Sequence, residues 1–190
     1  MKLTNNKSYN AGFNWNAPIN NNKKDRHKAA QALAKYVIAN HKDGEEITLA
    51  GHSHGGNVAI QAADIIYKAT GQKVNIITIA TPAYNGDQDT ENPKNHKGIN
   101  DHIALWNKID GVSGGLAGDD NFTNSPKTKN IEVNVDKYYK RREVRKDRFG
   151  RTSFDEVNNP LGAHSFDVEH PESIDQTMEQ NKIKKLSPVN

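Results

Sequence analysis

The stretch Ile47-Thr48-Leu49-Ala50-Gly51-His52-Ser53-His54-Gly55-Gly56-Asn57-Val58-Ala59 constrains this chain more than any other. A β-prone run at 47–50 breaks at Gly51. After Gly56 the apolar period becomes helical, with Val58, Ala59, Ala62, Ile65 and Ile66 on one stripe and Gly71 as terminator. Residues 74–80 then form a continuous apolar, β-branched run, the pattern of a strand buried on both faces, and Thr81-Pro82 stops it. Strand, tight turn, helix and strand in this order predict an α/β architecture with a mostly parallel sheet flanked by helices.

The rest of the chain fits around this centre. Residues 11–15 read as a short strand inside an Asn- and Lys-rich loop. Residues 24–40 read as a helix, with Ala29, Ala30, Leu33, Tyr36, Val37 and Ile38 at helical spacing. Asp25 in its first turn suits the helix dipole. Further strands are expected at 102–109 and, as an alternating edge strand, at 131–135. Residues 84–100, 111–125 and 160–166 read as loops, and 171–185 as an amphipathic helix.

Composition narrows the classes. With 190 residues the chain is expected to form one domain over 1–190, long enough to bury a core without staples. It has no cysteine, which removes disulfide frameworks, thiol nucleophiles and Cys-type zinc sites. No run approaches the roughly 20 apolar residues of a spanning helix. Residues 1–6 are not followed by the apolar core of a secretory signal. The net charge of +3 is too weak to imply nucleic acid, and none is expected as a partner. The one basic concentration, 137–151, reads first as a solvated loop or helix face. Its functional reading is contact with anionic headgroups or an acidic partner.

Gly51-x-Ser53-x-Gly55 is the pattern that carries chemistry. Small residues two before and two after Ser53 let the backbone fold back at a tight turn. Such a turn lifts the serine hydroxyl to the end of the sheet and aims the first amides of the following helix at it. The bland alternative is a Gly-rich structural turn. The stretch 47–62 resembles the nucleophile elbow of α/β-hydrolase lipases and esterases, and 74–82 resembles the strand that follows it there. Together with Phe13-Asn14-Trp15 and a helix bearing Arg26 and Ala29-Ala30, the pattern is also similar to hydrolase domains at the ends of bacterial polymorphic toxins. The resemblance implies a compact, shortened α/β-hydrolase fold. It implies cleavage of a carboxylic ester, of lipid type, and a secreted effector role with a cognate inhibitor (immunity) protein.

A serine nucleophile needs a base, and the base needs an orienting acid. In this fold both follow the serine, acid first. Asp110, placed after the expected strand 102–109 and before Gly111, fits the acid; Asp119 and Asp120 compete. His164 in Leu161-Gly162-Ala163-His164-Ser165-Phe166 fits the base, ahead of His102 and His170. His170 reads instead as a helix-start residue. The His54 amide is expected in the oxyanion hole, with a second amide from Asn14, Trp15 or Asn16; Trp15 fits a core aromatic equally well. His52 is expected beneath the elbow, and His54 along the acyl pocket or over the oxyanion site. No metal and no organic cofactor is needed on this reading. Two alternatives stand beside it: a non-catalytic binding module on the same fold, and a metal-dependent hydrolase using the His52/His54 pair.

Overall fold

The computed structural model describes residues 22–146, 148–149 and 151–181. The strand expected at 11–15, and with it Trp15, Asn14 and Asn16, lies outside the described residues. Among those described, the main sheet has four strands in the order β1 (Ile47–His52), β2 (Val74–Ile79), β3 (Ile99–Trp106) and β4 (Thr128–Glu132). All three pairings are parallel. A sheet of this kind needs a crossover after each strand and covers on both faces. The first crossover is α2 (His54–Thr70). The connections after β2 and β3 are irregular, with short turns of 3-10 helix at Pro93–Asn95 and π-helix at Val112–Ala117.

β2 shows why the sheet holds two cores. Its side chains alternate: Val74 and Ile76 face one core, Ile77 and Ile79 the other, and every residue of the strand is buried. On the first face, α1 (Lys23–Asn40) brings Ala29, Ala30 and Ala34, and α2 brings Val58, Ala59, Ala62, Ala63 and Ile66. The small residues let α2 lie close to β1 and β2, and α1 lie close to α2. On the second face lie Leu105 and Ile131 from the sheet, Tyr139 from α3 (Asp136–Tyr139), Phe166 from α4 (Phe166–Glu169), and Ile174 and Met178 from α5 (Pro171–Gln180). Between α3 and α4 a separate antiparallel hairpin is formed by β5 (Lys140–Lys146) and β6 (Thr152–Asn158).

Several expected boundaries move. β1 runs two residues past Ala50, because Gly51 and His52 still pair with Thr78 and Ile79. α2 accordingly begins at His54 and not after Gly56. β3 lies three residues earlier than expected, so residues 107–110 form a turn. β4 is the expected edge strand, also three residues earlier. The basic stretch is not one loop or helix face: 137–139 belong to α3, 148–149 are a turn, and 140–146 are β5, where Arg142 stands opposite Glu156 and Val144 opposite Phe154 in register. The described part of α5 ends at Gln180, with Asn181 as its C-cap.

Candidate active site

The local geometry of Ser53 follows from its neighbours. Its backbone has φ 52° and ψ −136°, a region that L-residues rarely occupy and that costs on the order of 1–3 kcal/mol. The turn is held by the Ser53 amide donating to the Ile79 carbonyl at 2.9 Å and the Gly56 amide donating to the Ser53 carbonyl at 3.0 Å. A Cβ at Gly51 would collide with the Gly55 carbonyl and the Gly56 amide. A Cβ at Gly56 would lie 2.8 Å from Thr78 Cγ2 and closer still to Thr81 Oγ1. Gly55, by contrast, has open space among the described residues. The steric requirement therefore falls on Gly51 and Gly56, not on the symmetric pair Gly51 and Gly55. The turn needs the first to pass under the helix start and the second to seat the helix on β2.

Ser53 precedes α2 as its N-cap, yet its hydroxyl makes no capping bond. It lies 2.9 Å from His164 Nε2 instead. His164 Nδ1 lies 2.8 Å from Asp110 Oδ2. The structure thus brings together Ser53, His164 and Asp110, from the end of β1, from the 3-10 turn Gly162–Ser165 and from the turn after β3. The Asp110 side chain is fully buried. Oδ1 accepts from the amides of Val112 (2.8 Å) and Ser113 (3.1 Å), and Oδ2 also accepts from Ser113 Oγ (2.7 Å). Burial alone would raise its pKa. The hydrogen bonds from His164 and Ser113 outweigh burial and hold it below the ordinary carboxylate value. Asp110 is therefore an ionised acceptor at neutral pH. It directs the His164 proton to Nδ1 and leaves the Nε2 lone pair facing the Ser53 hydroxyl.

The competing residues go elsewhere. The Asp119 backbone bridges to Ala83, and its carboxylate accepts from Asn85. Asp120 packs against Gly114. His102 is buried between Thr78 and Thr128, and burial pushes its pKa down to about 3. His170 caps α5 ahead of Pro171 and stacks on Tyr138 at 3.6 Å.

The two histidines that flank Ser53 are divided. His52 Nε2 lies 2.8 Å from the His164 carbonyl oxygen, while His54 Nδ1 lies 3.1 Å from Asn57 Oδ1. His54 is pushed toward its neutral form by burial, with Arg26 adding to the effect. Among the described residues no group of three His, Asp or Glu side chains is arranged to hold a metal. The His54 amide is the first of α2, one that a helix leaves without an intrahelical acceptor.

Sequence reasoning missed the supports. Asn57, fully buried, links His54 to the Pro82 carbonyl. Ser113 completes the Asp110 cradle. Asn107, also buried, accepts from the Ile109 amide and donates to the Ala163 carbonyl at 3.0 Å. A signal existed for Ser113: Asp-x-x-Ser is the spacing at which a carboxylate caps a following turn.

Residues 16–129 match the family described as alpha/beta hydrolase fold. The match spans more than half of the chain and takes in Ser53 and Asp110, and it ends before His164. The chain belongs to this family, and hydrolase is the class that its fold and family define. No curated protein and no solved structure matches it.

Proposed function

We propose that the chain is a serine hydrolase of carboxylic esters, with Ser53 as nucleophile, His164 as general base and acid, and Asp110 as orienting acid. The observation that carries this reading is the continuous path from Ser53 Oγ through His164 to Asp110, at 2.9 and 2.8 Å. Ser53 Oγ attacks the ester carbonyl carbon as its proton passes to His164 Nε2. Asp110 stabilises the imidazolium. The tetrahedral oxyanion takes the His54 amide, backed by the N-terminal end of α2. Collapse breaks the bond to the alkoxy oxygen, which leaves with the proton from His164. Water, deprotonated by His164, then attacks the acyl-enzyme and releases the acid and Ser53. No metal or organic cofactor enters these steps.

A lipid ester is the substrate class this reading favours. Leu116 and Leu161 are strongly exposed, and they stand on the segments that carry Asp110 and His164. The hairpin tip adds a contact for an anionic bilayer: Phe149 is exposed, with the Arg148 guanidinium 4.8 Å and that of Arg151 5.4 Å from its ring centre. Each basic group near such a surface contributes on the order of 1 kcal/mol. Arg148→Glu with Arg151→Glu should lower binding to vesicles containing phosphatidylglycerol by at least about tenfold. Equal binding by both proteins contradicts the contact.

Hydrolysis of p-nitrophenyl esters of rising chain length tests the substrate class. Turnover that rises with acyl length and disappears in Ser53→Ala supports it, and turnover that survives in Ser53→Ala overturns the serine mechanism. The effector reading rests on the sequence resemblance and calls for a cognate inhibitor protein. Growth arrest on expression in bacteria, relieved by Ser53→Ala, supports it, and arrest by both forms contradicts it.

A further inference from the structure

The loop that delivers His164 is not part of the main sheet. It follows the β5–β6 hairpin, and its backbone bonds lead to Tyr139 and Gly111. Its last two carbonyls before Ser165 are held by side chains instead. Asn107 Nδ2 donates to the Ala163 oxygen at 3.0 Å, and His52 Nε2 lies 2.8 Å from the His164 oxygen. Asn107 is three residues from the acid, and His52 is next to the nucleophile. Consecutive carbonyls of the loop are thus tied to the strand ends that carry the other two members of the triad.

His52 does more than fill space beneath the elbow. A carbonyl accepts only, so Nε2 must carry the proton. The Asp167 carboxylate lies 3.6 Å from the same nitrogen, beyond hydrogen-bond distance. That oxygen, Asp167 Oδ1, is buried and has no hydrogen-bond partner among the described residues. The His52 ring also lies against the His164 ring, with centroids 4.9 Å apart and planes tilted by 50°. It therefore touches the base at both backbone and ring.

We propose that His52 is a positioning residue for His164. Its Nε2 proton clamps the His164 carbonyl, and its ring limits the rotation of the His164 imidazole, so that Nε2 of the base stays within reach of Ser53. The proposal rests on the reading of Ser53 and His164 as nucleophile and base. Asn107 supplies the matching clamp from the acid side.

The test compares His52→Leu, which keeps bulk and removes the donor, with His52→Gln, which restores an N–H donor. Each is measured for kcat and KM on a soluble short-chain ester, for thermal stability, and for hydrogen exchange of the peptide spanning residues 160–167. The expected result is a fall in kcat of about 10–100-fold in His52→Leu, because small misplacements of a base have effects of this size. KM should stay within about twofold, as for a group that does not touch substrate. His52→Gln should recover most of the loss, and exchange in 160–167 should be faster in the Leu variant only. Wild-type kcat and unchanged exchange in His52→Leu overturn the proposal. Equal losses in both variants overturn the donor role. Exchange does not depend on turnover. If the native protein shows no Ser53-dependent hydrolysis, the serine reading fails, while faster exchange in the Leu variant alone still reports the clamp and unchanged exchange refutes it.

Discussion

The segment around Ser53 and the segment around His164 reach the same site by opposite means. Residues 47–79 are one uninterrupted β-α-β unit, and the geometry of Ser53 is set by atoms a few residues away in sequence or on the next strand. Sheet pairing, the close pass of Gly51 under Gly55 and the seating of Gly56 on Thr78 leave the turn little freedom. His164 is 111 residues from Ser53 and reaches it on a loop outside the sheet. Side-chain donors hold that loop. Ser53 is thus placed by backbone sterics, and His164 by a few hydrogen bonds. Substitutions of the glycines that shape the first region should cost folding, and substitutions of the groups that hold His164 should cost activity.

The largest expected effect lies at the carboxylate that His164 meets. Asp110→Asn should lower kcat by about 10³–10⁴-fold, because the amide no longer enforces the proton on Nδ1 or stabilises the imidazolium. KM on a soluble ester should change little. A fall of less than tenfold would mean that the path from Ser53 to Asp110 carries little of the rate. On the first side, Gly51→Ala should lose about 3 kcal/mol of stability or more, because the added carbon meets backbone that cannot retreat. Gly55→Ala should stay within about 0.5 kcal/mol of wild type. Urea unfolding of the two variants checks this contrast, and equal losses would erase it.

The sheet beneath both regions carries its own pH dependence. His102 has a folded pKa of about 3 against the ordinary 6.5. Between these values the unfolded chain binds the proton and the folded chain does not, so stability falls as pH drops through this window. From pH 7.5 to 4.5 the loss should approach about 3 kcal/mol, and His102→Gln should flatten the curve. Asp110 acts in the same direction further down. Its folded pKa is depressed, so its contribution is present at neutral pH and is lost as pH falls through the folded value. Urea unfolding at three pH values measures the slope, and a flat curve would place a charged imidazole between Thr78 and Thr128.

The smallest effect concerns the strain at Ser53. Ser53→Gly should be more stable than Ser53→Ala by about 1 kcal/mol, because only glycine takes the positive φ without penalty. Equal stability would mean that the turn stores no strain.

The same contrast explains what was legible in the sequence. The strand–turn–helix around Ser53 is legible because its requirements are local: a β-prone run, small residues and a helical stripe lie within about 20 positions. Even there the pattern misled at Gly55, since a five-residue motif does not say which glycine faces backbone. Asp110 and His164 were readable only as positions in chain order. Their approach to Ser53 depends on side-chain bonds from Ser113, Asn107 and His52 that no periodicity encodes. The sequence places β3 three residues too late because Ile99 and Asn100 continue the preceding polar loop pattern. Residues 140–146 read as loop or helix face because their basic side chains hide the strand period, while the pairing partner comes six residues later. The second amide expected of the oxyanion hole, from Trp15 or its neighbours, lies outside the described residues.

The most direct test is labelling with a fluorophosphonate, followed by peptide mapping of the modified residue. The account predicts a single adduct on Ser53, lost in His164→Ala and unaffected by chelators. An adduct on another serine, or none on folded native protein, would contradict the assignment of Ser53 as an activated nucleophile.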